Sequence, residues 1–395
     1  MIPDVFLHER FPDEGYATVG ITRKQLRFWP AVVTDTAAPS RTAPVTRRRR
    51  AFGVVTAGII VYVTSHIALV AASEFSRQLR DPLYGTKELQ LRRLEQCLPA
   101  GSPEVIFLGT SRPMCGFDAG RTQELLTERI GRPIVVYNWG IPAAGPVMDL
   151  IHLKRMLRDG HKPSLLLLEI FPACFASSAG ESIDVMGLDG SRFDWSELDQ
   201  VGAYDYPTKS LRTERQAVLI APWYALRYQL MGRLLPSTLP QHLRLRNMCH
   251  PRTDRNGWCP TEIDQLSEEE RAGAFSRVKE EFRHLSTSEA LDEGPVRAFR
   301  DMLALARQEK IPVSLVWMPE EKDFHKLYRP AFIAAIRRFL HDLAAEYGCH
   351  IHDAHEWMHD TAFADGYHLL RSSARSFTER LARETIEPFF LDSAP

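Results

Sequence analysis

The chain has 395 residues, of which 44% are hydrophobic and 25% are charged, and its formal net charge is -1. This composition is typical of a globular protein long enough for one large domain or two small ones. The nearly neutral charge gives no reason to expect a nucleic-acid partner. Six cysteines without a CxxC pair indicate neither a disulfide scaffold nor a zinc site.

Residues 1–50 are predicted to form a polar cytoplasmic tail with a Pro/Thr/Ala-rich linker at residues 34–46. Residues 51–72 then form an apolar run without a charged side chain, which has the length that a helix needs to cross a bilayer. The run follows directly on four consecutive arginines that end at Arg50. A basic cluster on the N-terminal side of a membrane helix favours leaving that end in the cytoplasm.

A buried core helix and a cleaved signal peptide are the alternatives for residues 51–72. The run is apolar all round rather than on one face, and it lacks a clear small-x-small cleavage site before the charged residues that follow. We therefore predict an uncleaved single-pass anchor in the inner membrane, with the bilayer as a partner. The rest of the chain is then expected to be extracytoplasmic.

Residues 73–100 are predicted to be a helical stem, and residues 101–390 to form the outer domain. In that domain short apolar runs alternate with amphipathic helical stretches, a pattern typical of a parallel sheet covered by helices on both faces. The fold class is therefore predicted to be α/β. Residues 176–285 interrupt the alternation and are predicted to be an insertion that caps the site. The predicted strands are residues 105–108, 134–137, 165–168, 313–317 and 349–353.

Two short motifs carry possible chemistry. The first predicted strand leads into Gly109-Thr110-Ser111, and a serine at a strand-to-helix turn presents its hydroxyl at the sheet edge. Such a serine is also the usual N-cap of a helix, which is the structural alternative. The second motif places Asp365 three residues before His368, so that one short turn can supply both a base for a serine hydroxyl and the carboxylate that orients the base.

The order of these motifs resembles the SGNH (GDSL-like) hydrolase superfamily over roughly residues 103–390. Ser111 stands at the position of the family's nucleophile, and Asp365 and His368 match its terminal DxxH. The phrase at residues 363–369, FADGYHL, is similar to single-pass extracytoplasmic members related to polysaccharide and cell-wall O-acylation proteins.

The resemblance implies a flavodoxin-like three-layer α/β/α sandwich, a Ser-His-Asp triad and no cofactor or metal. It also implies that the backbone N–H of Gly140 joins that of Ser111 in an oxyanion hole, with the Asn138 side chain as a further donor. Arg112 is expected either to bind an anionic group of the substrate or to pair with Glu169. Glu169 replaces the asparagine of the family's third motif, and a carboxylate there would oppose an oxyanion.

The resulting prediction is an extracytoplasmic serine esterase or O-acyltransferase that acts on an ester of a cell-surface glycan or lipid, with an acyl-delivery partner in the membrane. The missing third-motif asparagine supports an alternative from another class, a catalytically silent SGNH-like module that binds glycan or acts as a scaffold.

A third alternative rests on residues 355–359, HEWMH, a literal HExxH pattern. That pattern binds zinc when both histidines lie on one face of a helix. A predicted strand directly before it leaves little room for such a helix. A bridge between Cys249 and Cys259 is compatible with an oxidising compartment. His325, which follows the fourth predicted strand, is expected on the surface, with a position facing the site as the alternative.

Overall fold

The computed structural model describes residues 44–176, 183, 187–248 and 250–392. The tail before residue 44 and any pairing of Cys249 with Cys259 lie outside the described residues. The described helices are α1 (Pro44–Phe75), α2 (Arg77–Arg80), α3 (Pro82–Gln96), α4 (Ser111–Gly116), α5 (Ala119–Ile130), α6 (Pro146–Arg158), α7 (Trp195–Ala203), α8 (Thr208–Ile220), α9 (Pro222–Ala225), α10 (Arg227–Leu234), α11 (Gln241–Arg246), α12 (Glu268–Glu281), α13 (Glu293–Gln308), α14 (Lys322–His325), α15 (Pro330–Tyr347), α16 (Arg371–Leu381) and α17 (Glu387–Asp392).

Five parallel strands form one sheet in the order β2-β1-β3-β4-β5, an order used by doubly wound α/β folds. The α/β class with a parallel sheet is thus confirmed. In the register of β1 and β2, Gly109 lies opposite Gly140, so the two strands end at the same edge. The strands are β1 (Glu104–Gly109), β2 (Val135–Gly140), β3 (Leu165–Ile170), β4 (Val313–Trp317) and β5 (His350–Asp353).

Helices cover both faces of the sheet because successive strand residues point to opposite sides. Ile106 and Leu108 belong to one buried apolar cluster, to which α3, α6, α13 and α15 also contribute. Val105 and Phe107 belong to the other cluster, which includes residues of α5 and α16. The continuous apolar runs of the sequence are therefore strands buried on both faces.

The apolar helix α1 belongs to a different unit from the sheet domain up to Leu69, whereas Val70 and the residues after it belong to the domain unit. From Arg48 to Phe75 the helix is long and apolar enough to span a membrane. Its large apolar side chains, from Phe52 to Ile67, are exposed. This is compatible with a single-pass anchor.

The segment predicted as a stem packs against the domain. The ring of Tyr84 lies 5.5 Å from that of Trp139, and Lys87 is fully buried with its Nζ donating to the carbonyl of Asn138 at 3.0 Å. Leu91 and Leu94 complete the buried face of α3. Residues 77–96 are therefore part of the folded domain rather than a projecting stalk.

The predicted insertion leaves and rejoins the sheet domain at one place. Phe175, five residues after β3, accepts a hydrogen bond at 2.8 Å from the N–H of Asp292, which directly precedes α13. The described part of the segment between them is mostly helical and includes α7 to α12. Its buried residues, among them Phe193, Leu198 and Phe282, join the same apolar cluster as one face of the sheet, so the insertion is folded against the domain and is not a structureless loop.

Candidate functional site

The turn after β1 holds Ser111 at the carboxyl edge of the sheet. Thr110 caps α4 by accepting the N–H of Arg112 at 3.1 Å, so Ser111 is the first residue of the helix. The N–H of a first helical residue has no partner inside its helix. Gly109 is needed here because a Cβ at this position would lie 2.5 Å from the Cβ of Glu169.

Ser111, His368 and Asp365 form a continuous chain of hydrogen bonds. Ser111 Oγ lies 2.7 Å from His368 Nε2, and His368 Nδ1 lies 2.8 Å from Asp365 Oδ2. Asp365 and His368 are each 2% exposed, whereas Ser111 is partly exposed. The structure therefore brings Ser111 to an Asp-His pair that lies more than 250 residues further along the chain, with the imidazole placed to accept the serine proton.

The turn at residues 365–368 fixes the carboxylate. Asp365 Oδ1 accepts the N–H of His368 at 2.9 Å and that of Tyr367 at 3.3 Å, which leaves Oδ2 for the imidazole. Gly366 has φ +100°, a conformation strained for any other residue, and a Cβ there would also meet Phe275. The two backbone N–H groups are donors and hold Oδ1 in place, so the position of Oδ2 sets the orientation of the imidazole.

Asn138 and Gly140 do not serve as the oxyanion donors that the resemblance implies. The N–H of Gly140 donates to Asn138 Oδ1 at 2.9 Å, and Asn138 Nδ2 donates to the carbonyls of Pro113 at 2.6 Å and Phe117 at 2.7 Å. A Cβ on Gly140 would lie 2.3 Å from the backbone nitrogen of Met114. The two residues therefore hold α4, and with it the serine turn, tightly against β2.

Arg112 pairs inside the protein and is 1% exposed, so it is not available to a substrate anion. Its Nη1 lies 3.4 Å from both Glu169 Oε1 and Glu320 Oε1, and its Nη2 donates to the carbonyls of Met318 and Pro319. Of the two roles expected from the sequence, the structure has the pairing with Glu169.

Glu169 also ties the serine turn directly, because its Oε2 accepts the N–H of Thr110 at 2.6 Å. Burial raises the pKa of Glu169, although the nearby charge of Arg112 opposes the rise. The carboxylate thus orients the loop that carries Ser111 instead of facing a reacting oxygen.

Sequence reasoning missed Glu320, which links Arg112 to two further side chains. Its carboxylate lies 3.1 Å from His325 Nδ1 and accepts from the Tyr328 hydroxyl at 3.3 Å. The sequence carries a signal for Glu320, because it follows the end of β4, at the same sheet edge at which Glu169 is the next-to-last residue of β3. His325, expected on the surface, is part of this network.

The insertion reaches the site through α12. Phe275 contacts Gly366, and the ring of Phe282 lies 5.4 Å from that of Tyr367. Burial raises the pKa of Glu281 at the end of α12 to about 8, and the charge of Asp365 adds to the rise. A carboxyl that sequence reasoning did not single out therefore lies near the histidine-bearing turn, and the insertion packs against that turn as a cap would.

The HExxH pattern does not form the helix on which a zinc hydrolase would carry its two histidines. Residues 355–358 form turns and bends, with no helix. The imidazole of His355 is bonded to Asp353, whereas His359 Nδ1 lies 3.0 Å from Thr361 Oγ1. The two histidines thus have separate partners and do not share one helix face.

The chain matches no family model and no curated protein.

Proposed function

We propose that the protein is a membrane-anchored serine esterase or O-acyltransferase of the SGNH type. The observation that carries the proposal is the hydrogen-bonded chain from Ser111 Oγ through His368 to Asp365, at 2.7 and 2.8 Å. Asp365 accepts backbone N–H groups at one oxygen and faces the imidazole with the other. Such a carboxylate can hold the proton of the imidazole on Nδ1, so that Nε2 of His368 is free to act as the base. The strand order and the parallel sheet also support the SGNH assignment.

In the proposed reaction, His368 Nε2 takes the hydroxyl proton of Ser111 as Oγ attacks the carbonyl carbon of an ester. The tetrahedral intermediate then collapses, and the protonated imidazole gives its proton to the departing alkoxide oxygen, which leaves an acyl-serine. Water or an acceptor hydroxyl next attacks the acyl-serine, with His368 accepting the new proton and returning it to Ser111. Asp365 stabilises the imidazolium in both halves.

The backbone N–H of Ser111 is the oxyanion donor in this proposal. The N–H of Gly140 is already bonded to Asn138, and removal of one oxyanion donor typically lowers the rate by about 10²–10³. We therefore expect slow turnover of small activated esters. The apolar helix supports an extracytoplasmic site and a substrate at the membrane, which is an acylated glycan or lipid.

The test is covalent labelling of the full chain in lipid nanodiscs with a fluorophosphonate, which reports activated serines, followed by mapping of the modified peptide. Labelling at Ser111 that is lost in His368→Ala is expected. His355→Ala is the matched control, because its imidazole contacts Asp353 and not the serine. Ser267 is an internal control: it caps α12 and is paired with Glu270 instead of a histidine, so it should stay unlabelled as an ordinary N-cap serine.

The second candidate function is a silent SGNH-like module, favoured by the internal bonding of Gly140 and Asn138. Folded wild type that is not labelled at Ser111 would decide for this alternative. A reporter fused after Pro395 tests the anchor separately, since it should be active only outside the cytoplasm.

A further inference from the structure

A group of exposed apolar side chains lies outside α1. Most of the exposed large hydrophobic residues in the described part of the domain fall between residues 195 and 235. Six of them, between 39% and 75% exposed, define what we call the apolar patch. A soluble surface rarely groups such residues without a partner. The patch consists of Leu219, Ile220, Trp223, Tyr224, Leu234 and Leu235.

The segment that carries the patch is held at two points beside the end of the apolar helix. Arg215 of α8, before the patch, pairs with Glu74 in the last turn of α1. Arg233 of α10, next to Leu234, donates to Gln78 Oε1 at 3.3 Å. Glu74 and Gln78 lie on either side of Phe75, where the apolar helix ends. The patch therefore lies beside the point at which a membrane helix would leave the bilayer.

The segment that carries the patch is rich in basic residues. Residues 208–246 contain seven Lys or Arg residues and a single acidic residue, Glu214. Arg215 is 1% exposed and pairs with Glu74, and Arg212 pairs with Asp199, so part of this positive charge is neutralised within the protein. Arg227 lies over the rings of Tyr224 and Tyr228, with its guanidinium carbon 4.0 and 4.2 Å from the ring centroids. Tryptophan, tyrosine and leucine with arginine at the rim are the composition of segments that lie in the interface of an anionic bilayer.

We propose that α8, α9 and α10 form a second membrane contact, with the apolar patch inserted at headgroup level in a bilayer that contains anionic lipid. This inference rests on the anchor of the proposed function and adds to it a lipid-binding surface on the domain itself. The domain is then held by two contacts, so that its orientation over the membrane is fixed rather than free to rotate about the end of α1.

The experiment uses the full chain with Cys97→Ser, reconstituted in nanodiscs of phosphatidylglycerol and phosphatidylcholine. An environment-sensitive dye is attached at Ile220→Cys, and quenching by doxyl-labelled lipid is measured. Ile263→Cys is the matched control, because Ile263 is also exposed (43%) but lies outside the patch. Ile60→Cys, in the apolar helix, tests the anchor in the same discs, and the parent without a new cysteine sets the background.

Quenching at positions 60 and 220 but not at 263 is the expected result. Quenching at 60 without quenching at 220 would overturn the lipid contact and leave the anchor intact. If, in addition, a crosslinker at 220 then captured a protein in native membranes, the patch would be a protein-docking surface instead. No quenching at 60 would overturn the anchor and this inference together. When Trp223→Ala and Leu234→Ser are added to the Ile220→Cys variant, quenching of the dye at position 220 should fall to the level measured at position 263.

Discussion

Replacement of Arg112 by methionine should destabilise the domain strongly. The side chain is buried between Glu169 and Glu320 and donates to two carbonyls, so its removal leaves two carboxylates and two acceptors without their partner. Removing one member of a buried ion pair costs about 3–5 kcal/mol in unfolding free energy. For a domain of this size that corresponds to a fall in Tm of roughly 5–8 °C.

The loss of stability in Arg112→Met should be larger at high pH than at low pH. Burial already raises the pKa of Glu169, and loss of Arg112 removes the charge that opposes the rise. The folded variant is therefore penalised when this carboxyl is ionised and relieved when it is protonated, so the difference in Tm from wild type should be larger at pH 8 than at pH 5.5.

The assay is thermal unfolding followed by circular dichroism at the two pH values. Arg121→Met is the matched control, because Arg121 makes a half-exposed pair with Glu379, and such pairs contribute about 0–1 kcal/mol. Adding Glu169→Gln to Arg112→Met should recover part of the loss. A change in Arg112→Met no larger than in the control, or independent of pH, would refute this account of the network.

Three further predictions follow from buried groups. Asp365→Asn should abolish fluorophosphonate labelling, because the amide N–H₂ at the Oδ2 position donates to His368 Nδ1 and so puts the imidazole proton on Nε2, which can then no longer accept the proton of Ser111; retained labelling of the purified variant would contradict it. Burial raises the pKa of Glu104 to about 7, so the folded state loses stability as pH rises from 4.5 through 7. The free energy of unfolding of Glu104→Gln, measured with urea, should then be about 2–3 kcal/mol higher than that of wild type at pH 8.5 and equal to it at pH 4. The same difference at both pH values would count against this prediction. Burial lowers the pKa of Lys87 to about 7, so the charged form penalises the folded state below that pH and the penalty disappears as pH rises toward 10.5. The Tm of Lys87→Met minus the Tm of wild type should therefore increase as the pH falls from 9 to 6. A difference that stays constant over this range would show that the buried charge is not the cause.

The strands were predictable because their signal is local. Val105 to Leu108 and the runs that became β2, β3 and β4 are apolar segments that form almost fully buried strands, whereas β5, with the sequence HIHD, is a partly exposed strand. The spacing of Asp365 and His368 is local too, since a three-residue turn is enough to place a carboxylate on the imidazole. That Ser111 meets His368 follows once both lie at the carboxyl edge of one parallel sheet.

The roles of Asn138 and Gly140 were not predictable, because they depend on how closely α4 packs against β2. The amide of Asn138 finds carbonyls at Pro113 and Phe117 only when the helix is in place. The segment at residues 77–96 did carry a signal that was passed over. Leu83, Leu91 and Leu94 recur on one helical face, which indicates burial rather than an exposed stem.

The packing of α3 against the domain limits the distance between the proposed site and the end of α1. Ser76 alone separates α1 from α2 and Asp81 alone separates α2 from α3, so the folded domain begins within a few residues of Phe75. A domain of this length has a radius of gyration of about 20 Å, which places Ser111 within about 50 Å of Phe75. Under the proposed function, ester groups beyond that distance would be out of reach of Ser111, which favours substrates that are still attached to the membrane or are just leaving it.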